Sequence, residues 1–437
     1  MLAKRVAIEQ NDLEAHPMLN TQQASEGSSM RSALAQGRAF AHIAKFHPEL
    51  TSFRRDLHAN PELGFEEIYT SARVIEALKV CGVDGVHTHI GKTGVVALVH
   101  GRGRSLQNPG PMIGLRADMD ALPLPEHNET LWRSQKSGLM HACGHDGHTA
   151  MLLGAARYLA ETRQFDGTAV LIFQPGEEGY AGARAMMEDG LFDRFPCEQV
   201  YAQHNSPDTP LGVIGVTPGP MQAAADSIRI HILGKGGHGA RPHQSVDPVL
   251  VAAHIITAAQ SVVSRNVSAF DQAVVSICAM QAGNPVASSV IPGEATLVGT
   301  VRTYNEQVQQ NIEDRLRSLC ESIAHGFGAT AQLTYTRGYP ATVNTVAEAN
   351  FAADVATSLV GADRVWRNMT PSMGAEDFSF MLQAKRGAYL RVGQGAVDGP
   401  GPYPLHNSRY DFNDAILPLG AALHASLVEQ ALPLKSV

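Results

Sequence analysis

DSIRIHIL, residues 226 to 233, alternates without a break: Ile228, Ile230 and Ile232 fall on one face of an extended strand, and Ser227, Arg229 and His231 on the other. Successive side chains of a strand point to opposite faces, so this stretch predicts a sheet with one buried face and one wet face. The segments after it keep that texture. A helical stretch over about 246 to 265 leads to the strands AVVSICA (273 to 279) and ATLVGTVRTY (295 to 304), then to a helix over about 305 to 326 and the strand ATAQLTY (329 to 335). The order strand, helix, two strands, helix, strand is the ferredoxin-like α+β arrangement.

On either side of this region the pattern changes. GVVALV (94 to 99), MIGLRAD (112 to 118), TAVLIFQP (168 to 175) and EQVYAQH (198 to 204) are near-continuous apolar runs, and the helical TAMLLGAARYLAE (149 to 161) lies among them. Such runs belong to strands buried on both faces, which predicts an α/β domain: a mostly parallel sheet with helices on both faces. The same texture returns in a helix near 347 to 360, the strand GAYLRVG (387 to 393) and a closing helix from about 415. The expected organisation is an N-terminal extension over 1–45, a larger domain built from 46–222 and 337–437, and the ferredoxin-like domain inserted over 223–336. The extension contains the polar, small-residue run NTQQASEGSSM.

Composition excludes several functions. With 44% apolar and 17% charged residues, the chain has the profile of a folded soluble protein. Its 34 Lys plus Arg against 42 Asp plus Glu, without a basic run, offer no footprint for nucleic acid or anionic lipid. No run of about eighteen apolar residues is evident to span a membrane, and the first residues have too short an apolar stretch for a secretory signal. Cys81, Cys143, Cys197, Cys278 and Cys320 are odd in number and far apart, which fits a reducing compartment and makes the cytoplasm the expected location.

The chemistry concentrates at strand ends. In MHACGHDGHTAM (140 to 151), Cys143, His145 and His148 crowd a glycine-punctuated loop before a helix, a spacing that lets thiolate and imidazole converge on one divalent ion. Asp118 ends one expected strand, Glu177 and Glu178 follow a second, and His204 ends a third. Ligands of open α/β sheets bind beyond the carboxyl ends of strands, so these loops should meet in one crevice. Singly, such residues also read as helix caps, charged turns or surface groups. Adjacent glutamates can divide the work of hydrolysis: one ligates metal while the other takes a proton from water and later passes it to the leaving amine.

Two other readings are weaker. GKGGHG (234 to 239) satisfies the spacing of a dinucleotide-binding loop, but no acidic residue ends a second strand about twenty residues on, and Pro242 and Pro248 delay the helix. There is no G-x-S-x-G elbow for a serine hydrolase, and a Cys143 thiolate among acids and imidazoles is better explained as a ligand than as a nucleophile.

RADMDALPLPE (116 to 126), MHACGHDGH (140 to 148), FQPGEEG (173 to 179), GKGGHGARPH (234 to 243), MGAEDFSF (373 to 380) and LHNSRYDF (405 to 412) occur in this order. Together they resemble the hippurate hydrolase, aminoacylase and auxin-conjugate amidohydrolase group of the two-metal aminoacylase and carboxypeptidase family. The resemblance implies two divalent metal ions held by Cys143, His145, Glu178, His204 and His406, with Cys143 shared between them. It makes Glu177 the general base, Asp118 an orienting residue behind the ligands, and His238 an oxyanion-stabilising group from a lid domain, supplied in many relatives by a partner subunit. A homodimer or higher homo-oligomer is therefore expected. The chain departs from the family at Ser289-Val290-Ile291-Pro292, where Asn-Val-Ile-Pro is common, so that loop's substrate contacts are not carried over. The mixed donors suit zinc, while manganese, nickel or cobalt fit the same ligands. The activity implied is hydrolysis of N-acyl amino acids. Its rivals are a dipeptidase or carboxypeptidase of the same superfamily and a non-catalytic metal-binding protein that keeps the fold.

Overall fold

A computed structural model describes residues 34–395 and 403–434. Its larger sheet has eight strands in the spatial order Gly85–Ile90, Gly94–His100, Thr168–Gln174, Met112–Asp118, Gln199–Pro210, Arg386–Gly395, Ile214–Gly215, Val365–Trp366. The four strands from Thr168–Gln174 to Arg386–Gly395 run parallel. The first two strands pair antiparallel, as does Ile214–Gly215 with its neighbour Arg386–Gly395. Alternate residues enter two different layers. Ala97, Val99, Leu115, Ala117, Leu171 and Phe173 pack with residues of the helices His145–Thr162 and Leu417–Ala431, while Val96, Leu98, Val170, Ile172, Val200 and Ala202 pack with Met186, Phe195 and Phe378. With both faces dry, either parity of the strand must be apolar, which is why these segments read as unbroken runs.

The second sheet has four antiparallel strands in the order Ala273–Ala282, Glu294–Thr303, Ala224–Leu233, Thr330–Tyr339. This is the ferredoxin-like arrangement. Ile228, Ile230 and Ile232 are buried with Leu297, Val301 and Leu333 beneath the helices Pro248–Asn266 and Glu306–Gly326, whereas Ser227 and Arg229 are exposed. Both helices start at side-chain caps: Asp247 accepts from Val249 N and Leu250 N, and Asn305 from Gln307 N. The chain passes between the two sheets along adjacent paths, since Gly219–Gln222 pairs with Thr342–Asn344 on one side of the crossing and Ala225 with Tyr339 on the other.

Two details differ from the sequence reading. The expected extension over 1–45 does not hold for its described part, because the helix Arg38–Ile43 buries Ala39, Phe40 and Ile43 in the main core; residues 1–33 lie outside the described residues. Three apolar positions on one face of a six-residue helix are too few to stand out as a period. The helix Pro248–Asn266 is, by length and composition alone, long and apolar enough to cross a membrane. It instead buries Val251, Ala252, Ile255, Ala259 and Val262 against the sheet and exposes His254, Thr257, Gln260, Ser261 and Ser264. In keeping with the sequence reading, GKGGHG contributes the two-residue strand Gly237–His238, paired with Val290–Ile291, rather than a phosphate-cradling helix start.

Candidate metal centre

Gly144 sits at φ +97°, and a Cβ added there would lie 2.5 Å from Asn205 Oδ1, so only glycine fits the turn. The turn leaves Cys143 and His145 facing a common point at the start of the helix His145–Thr162. Beyond the strand Thr168–Gln174, the two carboxyl oxygens of Asp120 accept Glu177 N at 2.9 Å and Glu178 N at 2.8 Å, which fixes the paired-glutamate loop. His204 extends from the parallel strand Gln199–Pro210, and its Nε2 lies 3.3 Å from Cys143 Sγ. His406 closes the rim with a backbone φ of +63°, a left-handed conformation that non-glycine residues adopt at some cost. Its Nε2 stands 3.2 Å from Glu178 Oε1.

These residues form two groups of three that share Cys143. Cys143, His145 and His204 make one and Cys143, Glu178 and His406 the other; within each, the ligand atoms lie within 4.8 Å of one another. The first group is buried throughout, while the second opens to solvent at His406. The electrostatics suit a cation. Burial, with His148 and Arg391 nearby, pushes the His204 imidazole well below its usual pKa, leaving a neutral nitrogen. Hydrogen bonding to Cys143 and Glu178 draws His406 up to about 10, so the second group attracts positive charge. His145 Nε2 is buried without a hydrogen bond.

Glu177 is buried beside both groups and shares a third cluster with His145 and Glu178. Burial first, then the charges of Glu376, Glu178 and Asp377, hold its carboxyl well above the usual range, so it has a strong affinity for a proton. Asp377 N donates to its Oε1 at 3.3 Å. Asp118 lies behind the ligands: it accepts from Arg116 at 2.7 Å, contacts His148 Nδ1 at 2.6 Å and stands 3.7 Å from His145 Nε2. His148 also meets Asn205 Oδ1 through Nε2 at 2.7 Å, so both its nitrogens are engaged and it braces the site from behind.

Residues 114–430 match the peptidase family M20/M25/M40. The chain belongs to that family. It is 41% identical over 385 residues to a hippurate hydrolase of Campylobacter jejuni, covering 88% of this chain and 97% of that protein. It is 38% identical over 383 residues to an N-acetylcysteine deacetylase of Bacillus subtilis, covering 87% and 96%. Among solved structures, the Bacillus subtilis YXEP protein, described as a dinuclear metal binding peptidase from the M20 family, superposes with a TM-score of 0.76 at 33% identity, covering 89% of this chain and 99% of that one.

In this family member, His238 is the one expected site residue that the structure does not bring to the cluster. It is exposed on the inserted domain, pairs through its backbone with Val290 and accepts from Ala240 N through Nδ1 at 3.1 Å. The sequence reading also missed several residues that hold the site. Arg116 bridges Asp118, Glu376 at 2.8 Å and Asp377 at 3.0 Å, joining segments about 260 positions apart. Tyr339, where the chain leaves the inserted domain, donates to Glu177 O at 2.7 Å and accepts from Ala181 N at 2.9 Å. Arg116, Asp120, Glu376 and Asp377 all lie inside quoted motifs, where acid-rich strings were the available signal; nothing local marked Tyr339.

Proposed function

We propose that the chain is a metal-dependent amidohydrolase that cleaves N-acyl amino acids, of the hippurate or N-acetyl type, into a carboxylic acid and a free amino acid. One observation carries this reading: two donor groups share a single thiol while a proton-hungry carboxylate, Glu177, stands beside both. The residues present fit two divalent ions. A buried Sγ, imidazole nitrogens and a carboxylate form a borderline donor set, and His145 Nε2, buried without a hydrogen bond, is a potential ligand. We assign Cys143, His145 and His204 to one ion and Cys143, Glu178 and His406 to the other. Zinc suits this set best, with manganese, nickel and cobalt as alternatives. When bound, the ions supply Lewis acidity toward the amide carbonyl and the attacking water.

The chain's own residues do the rest. Glu177 takes the proton of the attacking water and returns it to the leaving amine, while Asp377 N and the Asp120 clamp keep its carboxylate aimed. Asp118 holds His148, and Asp120 O holds His145 through Nδ1 at 2.9 Å, so ligand orientation does not depend on solvent. We assign His238 to the developing oxyanion. Because it stands on the surface of the inserted domain, it must arrive by closure of that domain or from a second copy of the chain, and a homodimer satisfies the latter.

The test is a side-by-side assay of hippurate, N-acetyl amino acids and dipeptides, using apoprotein reconstituted with zinc, manganese, nickel or cobalt in turn. Activity absent from the apoprotein, restored by metal and greatest on N-acyl amino acids is expected. Faster turnover of dipeptides would instead favour a peptidase, the reading that the family's description supports. Metal bound without hydrolysis of any panel member would favour a binding protein.

A further inference from the structure

Next to the metal centre lies a cavity of about 610 Å³, a size suited to a small organic ligand. Its wall includes Ser206, two residues beyond His204, and Leu405, the neighbour of His406, together with Met221, Trp366 and Met369. Arg391 is also in that wall. Arg391 and His204 are register partners on adjacent parallel strands, so their side chains leave the same face of the sheet.

The pairing of Arg391 sets it apart from the other arginines near the site. Arg116 is matched by Asp118, Glu376 and Asp377, and Arg54 by Asp146, Asp411 and Asp414. Arg391 is half-buried, and among the described residues no carboxylate forms an ion pair with it; its guanidinium carbon lies 5.3 Å from the centre of the Tyr389 ring. Asp208 in the same cavity wall is exposed and lies beyond ion-pair distance. A guanidinium that has lost part of its hydration without gaining a counter-charge is matched by a planar carboxylate, which it can grip through two parallel hydrogen bonds. The substrates proposed above carry one carboxylate on the amino acid and, where the acyl group comes from a dicarboxylic acid, a second on the acyl side.

We propose that Arg391 and this cavity form the subsite that receives a carboxylate of the substrate, selecting anionic over neutral N-acyl compounds. The inference rests on the amidohydrolase reading and sharpens it, because it names the charge that the substrate must carry.

The experiment compares wild type, Arg391→Gln and Arg391→Lys, all metal-loaded, on two matched pairs. N-benzoylglycine against N-benzoylglycinamide tests the amino-acid carboxylate, and N-succinylglycine against N-succinamoylglycine tests a carboxylate on the acyl side. In Arg391→Gln the preference in kcat/KM for the anionic member should fall by about 10- to 100-fold in one pair, the range for a lost charge-assisted hydrogen bond, and that pair identifies the carboxylate. Arg391→Lys should keep part of the preference. Unchanged ratios in both pairs, or an equal loss on all four compounds, would overturn the proposal. If wild type hydrolyses none of the four, the amidohydrolase reading fails by itself, and calorimetry then decides Arg391 separately. A Kd for N-benzoylglycine or N-succinylglycine about tenfold weaker in Arg391→Gln supports the subsite, and equal Kd values overturn it.

Discussion

The two sheets solve opposite problems. The larger one is dry on both faces, so polar groups at its carboxyl rim lean on internal partners: Arg116 holds three carboxylates, His148 lies between Asp118 and Asn205, and His58 contacts Asp146 at 2.8 Å inside the core. The inserted sheet has one wet face and sends Ser227 and Arg229 to solvent. His238 stands exposed in the same domain. A buried polar group without a partner costs far more than an exposed one, so the rim is a fixed frame, whereas the inserted domain can carry a functional group at little structural cost. Tyr339 is one point where they touch, because the last residue of an inserted strand hydrogen-bonds the loop that bears Glu177 and Glu178.

The largest expected effect tests the rim. Glu177→Gln should lower kcat by about three to four orders of magnitude, toward the upper range for loss of a general base, while keeping both metal ions. Single-turnover kinetics with metal analysis by mass spectrometry checks this; a kcat within tenfold of wild type would remove Glu177 from the role of base.

The matching change on the inserted domain is His238→Ala. It should lower kcat by about two to three orders of magnitude, as expected for a lost oxyanion donor, and shift folding stability by no more than about 0.5 kcal/mol because the side chain is exposed. Loss of stability together with activity would blur the contrast between the two regions, and an unchanged kcat would exclude the inserted domain from the chemistry.

The smallest effect concerns how the rim is held. Burial alone would lower the pKa of His58, but the Asp146 carboxylate outweighs it and lifts the group from 6.5 to about 9. A raised folded-state pKa contributes stability that is complete below about pH 6.5 and disappears as pH climbs through about 9, here roughly 3 kcal/mol. Urea unfolding of wild type should therefore weaken between about pH 7 and pH 10. His58→Gln should be less stable at neutral pH and converge on wild type at alkaline pH. Parallel stability curves would mean that the His58–Asp146 pair does not brace the start of the helix that carries His145.

Much of this was legible beforehand for a local reason. Ile228, Ile230 and Ile232 revealed a one-sided sheet, and the unbroken run at 168 to 174 a two-sided one, because burial of a strand face leaves a period of two or none. Of the five proposed ligands, four were suggested by short, distinctive strings and the fifth, His204, by its place at the end of an expected strand. The helix Arg38–Ile43 escaped notice because six residues hold too little of a helical period, and Tyr339 because a single tyrosine at a strand end has no pattern.

Taken alone, the order of residues determined which segments would be strands and helices, and which side chains would stand at their ends, since both depend on neighbours only a few positions away. The tertiary structure alone decided that Arg116 reaches across to Glu376 and Asp377, and that Arg391 faces a cavity beside His204 with no carboxylate paired to it among the described residues. Those relations join positions tens to hundreds apart, and they arise only when strand pairing and core packing fix one arrangement among many that the same local preferences would allow.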